Sequence, residues 1–320
     1  MEFISDCTQE AIKKAARALK DGHLVAFPTE TVYGLGADAT NEKAVSRIYS
    51  VKGRPSGHPL IVHISSIDRF EDWATNIPDY AIKLALDFWP GPMTLILPRK
   101  ENAQDFITGG QNNVGLRIPN QPIALSLLRK FEELGGQGIA APSANRFGAI
   151  SPTSASDVED EIGEFLETKD LVLDGGPSFI GIESTIIDCT KSAPIVLRPG
   201  AITENLIVST TGINRRERLK GDDIRVPGMV KSHYSPNAQV FIDEVAMPGE
   251  GQIALAKYMT SPGAIRLASP ENSNEFAKQL YSAFRHADKI GLKIIKVKLP
   301  EVAGIGAAIH DRVKKSSFKF

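Results

Sequence analysis

The sequence predicts an α/β fold: one open, mixed sheet with helices over residues 1–210, a connector at 211–235, and a small αβ unit at 236–320. Three observations carry this. Apolar runs of strand length recur through the first part with helical patterns between them. The connections are too irregular for a purely parallel order. After Thr211 the chain turns polar and basic, then regains alternating strand and helix patterns.

From Thr8 to Lys20, Ile12, Ala15, Ala16 and Leu19 keep helical spacing, with Thr8, Glu10 and Glu2 near its start. His23–Phe27 reads as a short buried strand stopped by Pro28. Asn41 opens a helix through Val45, Ile48 and Val51. Strand-length runs follow at Leu60–Ile64, Thr94–Leu97, Val114–Ile118, Gly138–Ala141, Leu171–Leu173, Ser184–Asp188 and Ile195–Leu197. Helical patterns lie between several of them, at Tyr80–Phe88, Pro122–Phe131 and Ser154–Phe165. Between Thr211 and Ser235 stand six Lys/Arg (Arg215, Arg216, Arg218, Lys220, Arg225, Lys231) against three acids, which reads as a polar linker ending in VPGMVKSHYSP. Beyond it come a strand at Ala238–Ile242, a helix near Asn274–Ala287, a strand at Leu292–Val297 and a closing helix at Gly304–Lys315.

The 320 residues suit about two domains at roughly 150 residues each. Hydrophobic residues make up 42% and charged residues 23%, the balance of a globular protein. Lys+Arg 37 against Asp+Glu 38 leaves a net charge of −1, which excludes binding of a polyanion by a global basic field. Two cysteines, Cys7 and Cys189, exclude a disulfide scaffold and a Cys-based zinc cluster, and fit a reducing compartment. The opening MEFISDCTQEAIKKAARALK lacks the apolar run of a signal peptide. No stretch approaches the ~18 apolar residues of a membrane span, so the expectation is a cytoplasmic protein.

The segment 27–64 is the richest in chemistry. Thr29, Glu30, Thr31 and Tyr33 follow directly on a strand, where sites gather in open α/β sheets. Gly34, Gly36 and Ala39 match only the glycine part of a dinucleotide fingerprint, because PTETVY intervenes before them; a plain turn explains them equally well. Lys52 and Arg54, on a Gly/Pro-shaped loop with His58, suit phosphate as point charge and planar fork. They also suit the negative end of a helix dipole. His63 alternates with apolar neighbours on a strand and reads more readily as structural than as catalytic. Arg117 sits inside the apolar strand VGLRIP with no flanking acid. A buried guanidinium requires a carboxylate, a phosphate or a ligand, and sequence leaves these open. APSANRFGAISPTS supplies Ser143, Asn145, Ser151 and Thr153 as hydrogen-bond donors after a strand, without the Gly-Lys-Ser/Thr of a Walker loop. Ser184 starts one strand and Arg198 ends another.

PTETVYGLGADAT, KGRPxxxPL, APSAN with SPT, GIESTIID with LRPG, and PGMxxSHYSP occur here in that order. The set closely resembles the two-domain form of L-threonylcarbamoyladenylate synthases, over nearly the whole chain. The resemblance implies a YrdC-like twisted mixed sheet followed by a small Rossmann-like αβ domain. It also implies a nucleotidyltransferase that makes threonylcarbamoyl-AMP from ATP, L-threonine and bicarbonate and releases pyrophosphate. Mg²⁺ would accompany ATP, with no organic cofactor and no metal site of the protein's own. The product would pass to a tRNA threonylcarbamoyl transferase complex, with direct RNA contact weak. On the same grounds Lys52 and Arg54 would be catalytic. ATP would be met by Lys52, Arg54, His58, Asn113, Ser143, Asn145, Ser151, Arg198 and Tyr234. Threonine would be met by Thr31, His63, Arg117, Ala141 and Ser184. The family often has Asn where His58 stands. The 211–235 linker is expected to act as a lid. Two rivals are an NADP-dependent oxidoreductase, which would use Gly34, Gly36, Ala39 and Arg54, and a non-enzymatic protein that binds double-stranded RNA.

Overall fold

A computed structural model describes residues 1–214, 224–229 and 233–318. The linker residues Arg215, Arg216, Arg218, Lys220 and Lys231 lie outside the described residues, and with them about half of the expected lid.

The first sheet contains β1 (Glu2–Ile4), β2 (Val25–Phe27), β3 (Gly34–Asp38), β4 (Ile61–His63), β5 (Met93–Pro98), β6 (Asn113–Arg117), β7 (Ile139–Ala140), β8 (Leu171–Leu173), β9 (Thr185–Asp188) and β10 (Ile195–Arg198). Their order across the sheet is β1-β8-β2-β3-β7-β4-β6-β5-β9-β10. Pairing is mixed: β4 with β6 and β5 with β9 are parallel, while β2–β3, β3–β7, β4–β7, β5–β6 and β9–β10 are antiparallel. The helices with it are α1 (Gln9–Lys20), α2 (Glu42–Lys52), α3 (Phe70–Trp73), α4 (Asp79–Phe88), α5 (Asp105–Thr108), α6 (Pro122–Glu133), α7 (Ala155–Ile162) and α8 (Glu204–Thr211). A second sheet, all parallel, runs β11 (Gln239–Ile242), β14 (Ile294–Val297), β12 (Gly251–Ile253), β13 (Ile265–Ala268), with α9 (Ser273–Lys289) and α10 (Gly306–Ser317).

Local chemistry accounts for the boundaries that matter. Thr8 and Asn41 cap α1 and α2 by accepting the N–H groups of Ala11 and Ala44. Gly53 ends α2 at φ 60°, a left-handed conformation that glycine adopts without strain. The Ser154–Phe165 pattern is shorter as an α-helix than expected, because α7 stops at Ile162 and a 3₁₀ turn carries the chain to Phe165. Strands β1, β12 and β13 have no counterpart in the sequence reading; each is three or four residues long, too short to show a period.

Gly34 and Gly36 belong to β3 rather than to a turn, which removes the glycine fingerprint of the oxidoreductase reading. A Cβ at Gly36 would sit 2.8 Å from both Ile139 and Phe27, so the position is glycine for close packing on the sheet. The two sheets share apolar core. Val32, Ile150 and Ile182 pack in one cluster with Tyr234, Phe276, Tyr281 and Ile309. Burying each large side chain there contributes about 1.5–3 kcal/mol.

Candidate active site

One pocket gathers residues from the ends of β3, β4, β6, β9 and β10, the loop after β7 and the end of α2, with Pro227, Gly228, His233 and Tyr234. Eleven of the fourteen residues expected to meet ligand line it: Lys52, Arg54, Ser143, Asn145, Arg198 and Tyr234, and Thr31, His63, Arg117, Ala141 and Ser184.

Its cationic wall starts from the end of α2. Lys52 is the last residue of that helix and is buried. Its ammonium donates to the backbone carbonyls of Ser143, at 2.6 Å, and Asn145. Burial, then the neighbouring Arg54 charge, draws its pKa well below the usual lysine range. Arg54 donates to the Pro59 carbonyl at 2.8 Å, leaves its Nε without a partner, and is lowered to about 10 by burial. The loop carrying Ser143 and Asn145 is stitched to β3, with Leu35 donating to the Pro142 carbonyl and Ala144 to that of Tyr33. The Asn145 side-chain oxygen is buried and unpartnered. Arg198 donates to the carbonyl and the hydroxyl of Ser184, at 3.0 and 3.1 Å. Tyr234 closes this wall at φ 62°, its hydroxyl buried and without a partner. A Cβ at Gly228 would meet that hydroxyl at 2.3 Å, so a larger residue there would displace the ring.

A second group in the pocket is built by strand register. His63 and Arg117 are direct partners in the parallel β4–β6 pair, which sets imidazole beside guanidinium. Arg117 meets a tertiary carboxylate that its sequence neighbourhood hides: Glu30 lies 2.8 Å away, and Thr31 accepts from the same nitrogen at 2.9 Å. Its Nε remains unpartnered, so the fork retains a donor for a substrate carboxylate. Burial, with Arg117 second, pushes His63 down to about 3, and its Nδ1 has no partner. The imidazole is therefore neutral at physiological pH.

Three expected contacts sit elsewhere. His58 lies in an adjoining hollow with Arg54, Phe147 and Arg225, its ring edge-on to Phe147 at 5.3 Å. Asn113 opens β6 in a separate cleft beside Gln111 and Arg225. Ser151 is buried behind the wall and donates to Glu183. Ala141 does line the pocket, where its amide donates to the Ile61 carbonyl. Glu183 and His233 also line the pocket and were not expected there. Glu183 stands inside the quoted GIESTIID, but its partners Tyr281 and Arg312 come from the far end of the chain.

The acid stability of the fold follows from these groups. Burial lowers His63 and His233 to about 3 in the fold, against about 6.5 when unfolded. Between those values the unfolded chain binds more protons, so stability is full above about pH 6.5 and falls as pH drops. Burial alone would raise Glu183, but Arg312, Arg198 and its hydrogen bonds hold it at about 2, adding a loss in the same direction below about pH 4.5. From pH 7 to pH 5 each histidine removes about 2 kcal/mol. Urea midpoints measured at both pH values should fall accordingly; a midpoint independent of pH would contradict the buried neutral state.

No group of three His, Cys, Asp or Glu that suits a metal ion occurs among the described residues, and the pocket's carboxylate, Glu183, is already spent on Arg312, Tyr281 and Ser151. No helix among the described residues is long and apolar enough to cross a membrane.

Comparison with known proteins supplies the family. Residues 17–200 match the model described as "Telomere recombination", and residues 200–317 match the model for the C-terminal domain of threonylcarbamoyl-AMP synthase. Threonylcarbamoyl-AMP synthase of Pyrococcus abyssi is 41% identical over 96% of this chain and 94% of its own length. That of Bacillus subtilis is 37% identical over 96% and 92%. The crystal structure of Pyrococcus abyssi Sua5 complexed with L-threonine superposes with a TM-score of 0.88 at 37% identity, covering 99% of this chain and 97% of that one. With sequence identity, domain order and fold in agreement over nearly its whole length, the chain belongs to the threonylcarbamoyl-AMP synthase family, in the two-domain form whose first domain is YrdC-like.

Proposed function

We propose that this protein is an ATP-dependent nucleotidyltransferase that makes L-threonylcarbamoyl-AMP from L-threonine, bicarbonate and ATP. The observation that carries this reading is that one pocket gathers two sets of side chains, Lys52, Arg54 and Arg198 together with Thr31, His63 and Arg117. A triphosphate suits the first set and a small zwitterion the second. The 37%-identical Pyrococcus abyssi structure is a complex with L-threonine, which supports that ligand here.

In this reading the threonine nitrogen captures the carbon of bicarbonate with loss of water and forms a carbamate. A carbamate oxygen then attacks the α-phosphorus of ATP, the bond to the β-phosphate oxygen breaks, and pyrophosphate leaves. Arg117 holds the amino-acid carboxylate. Neutral His63 accepts a hydrogen bond through Nδ1 without adding charge. Lys52 and Arg54 offset the charge that builds on the phosphates, from a fixed, water-poor site where such donors act most strongly. No protein nucleophile is needed; orientation of two substrates supplies much of the rate. Mg²⁺ arrives with ATP as part of the substrate and neutralises phosphate charge. The mixed anhydride product serves as donor for threonylcarbamoyladenosine in tRNA, transferred by other proteins, in the cytoplasm.

Pyrophosphate release measured with ATP and bicarbonate fixed and the amino acid varied tests the reading. L-threonine should raise the rate at least about tenfold over no amino acid, a factor worth about 1.4 kcal/mol. Release indifferent to the amino acid would sink it.

A further inference from the structure

We propose that Arg312 and Tyr281, carried by the C-terminal helices α10 and α9, are positioning residues for the nucleotide wall of the pocket. The C-terminal unit would thereby complete the active site. The inference rests on the proposed reaction and asks what holds its site in shape.

Arg312 is fully buried and does not line the pocket. Its Nε donates to the Glu183 carboxylate at 2.7 Å. Its terminal nitrogens reach the Pro199 carbonyl at 3.2 Å, the Glu183 carbonyl at 3.5 Å and the Asp311 carboxylate. Tyr281, also fully buried, donates to the same Glu183 carboxylate at 3.0 Å. Both grip the chain where it turns into the site: Glu183 precedes Ser184, Pro199 follows Arg198, and Ser184 and Arg198 are hydrogen-bonded to each other. The guanidinium also lies 5.1 Å over the Tyr234 ring, which stacks on Tyr281 at 5.8 Å. Arg198 and Tyr234 thus rest on side chains from α9 and α10, as does Ser184, the one expected threonine contact in this group. His63 and Arg117 are held across β4 and β6, while Thr31 meets α9 only at one remove, its carbonyl accepting from Gly181, which abuts Ala277 and Lys278. A lysine cannot reproduce the planar fork, the carbonyl contacts and the ring contact together.

Calorimetric titration of the full chain with ATP and, separately, with L-threonine tests this, with urea midpoints for the same proteins. R312Q should weaken ATP about 30-fold, the loss of a charged hydrogen-bond set, while threonine affinity moves less than about threefold. R312K should recover part of the ATP affinity, and Y281F should weaken ATP about three- to fivefold. A merely structural role would lower the urea midpoint and the fraction of competent sites and leave the affinity of each folded site unchanged for both ligands. R312Q binding ATP within twofold of the parent overturns the proposal, as does an equal loss for both ligands. Should R312Q not fold, R312K and Y281F decide, and ATP binding within twofold in both overturns it. A parent chain that binds no ATP brings down the nucleotide reading and this inference together. A parent that binds ATP beside an equally tight R312Q removes only the role of α10.

Discussion

Lys52→Ala is expected to slow pyrophosphate release by about 10³-fold, the upper range for removing one preorganised electrostatic donor. The ammonium is buried and tethered to the Ser143 and Asn145 carbonyls, so alanine removes the charge and the tether at once. Lys52→Met separates the two from plain packing by keeping the stem. Because burial and the Arg54 charge draw the lysine's pKa well below its unfolded value, the charged form opposes folding below the unfolded pKa. Lys52→Met should therefore leave the urea midpoint equal or higher while activity collapses, the pattern of a residue kept for function. Arg54→Ala should also lose turnover more than affinity. Turnover within threefold of the parent in Lys52→Ala would remove Lys52 from the phosphate set.

Arg117→Ala is expected to raise the KM for threonine about 100-fold and leave that for ATP nearly unchanged. It should also cost about 3–5 kcal/mol of stability, because Glu30 stays buried without its partner charge. The double variant Arg117→Ala with Glu30→Gln separates the two losses. Neutralising the carboxylate should restore much of the urea midpoint and none of the threonine affinity. Equal rises in both KM values, or a double variant that regains threonine affinity, would show that Arg117 only braces the sheet.

Legibility in the sequence followed the range of the physics. Helices with local caps, such as those opened by Thr8 and Asn41, announced themselves, because cap and periodicity sit within a few residues. The eleven gathered residues were singled out largely through ordered motifs, which resemblance read and composition alone did not. What sequence could not show were partners set by tertiary distance. Arg117 had no acid beside it, and Glu30, although in a quoted motif, reaches it only through the fold. Gly34 and Gly36 looked like a turn because three-residue β2 and five-residue β3 lie too close in sequence to show separate periods. Ser151 looked like a ligand donor, yet its hydroxyl is committed to Glu183.

The Glu183–Arg312 pair spans 129 residues of chain. At a synthesis rate of about 5–20 residues per second, the carboxylate waits roughly 6 to 26 s for its guanidinium. During translation the first sheet can pair through β10 while this acid has Arg198 as its counter-charge but not yet Arg312, so the nascent chain passes through a stage with an incomplete wall. Nucleotide should gain its full grip only once the ribosome has delivered α10.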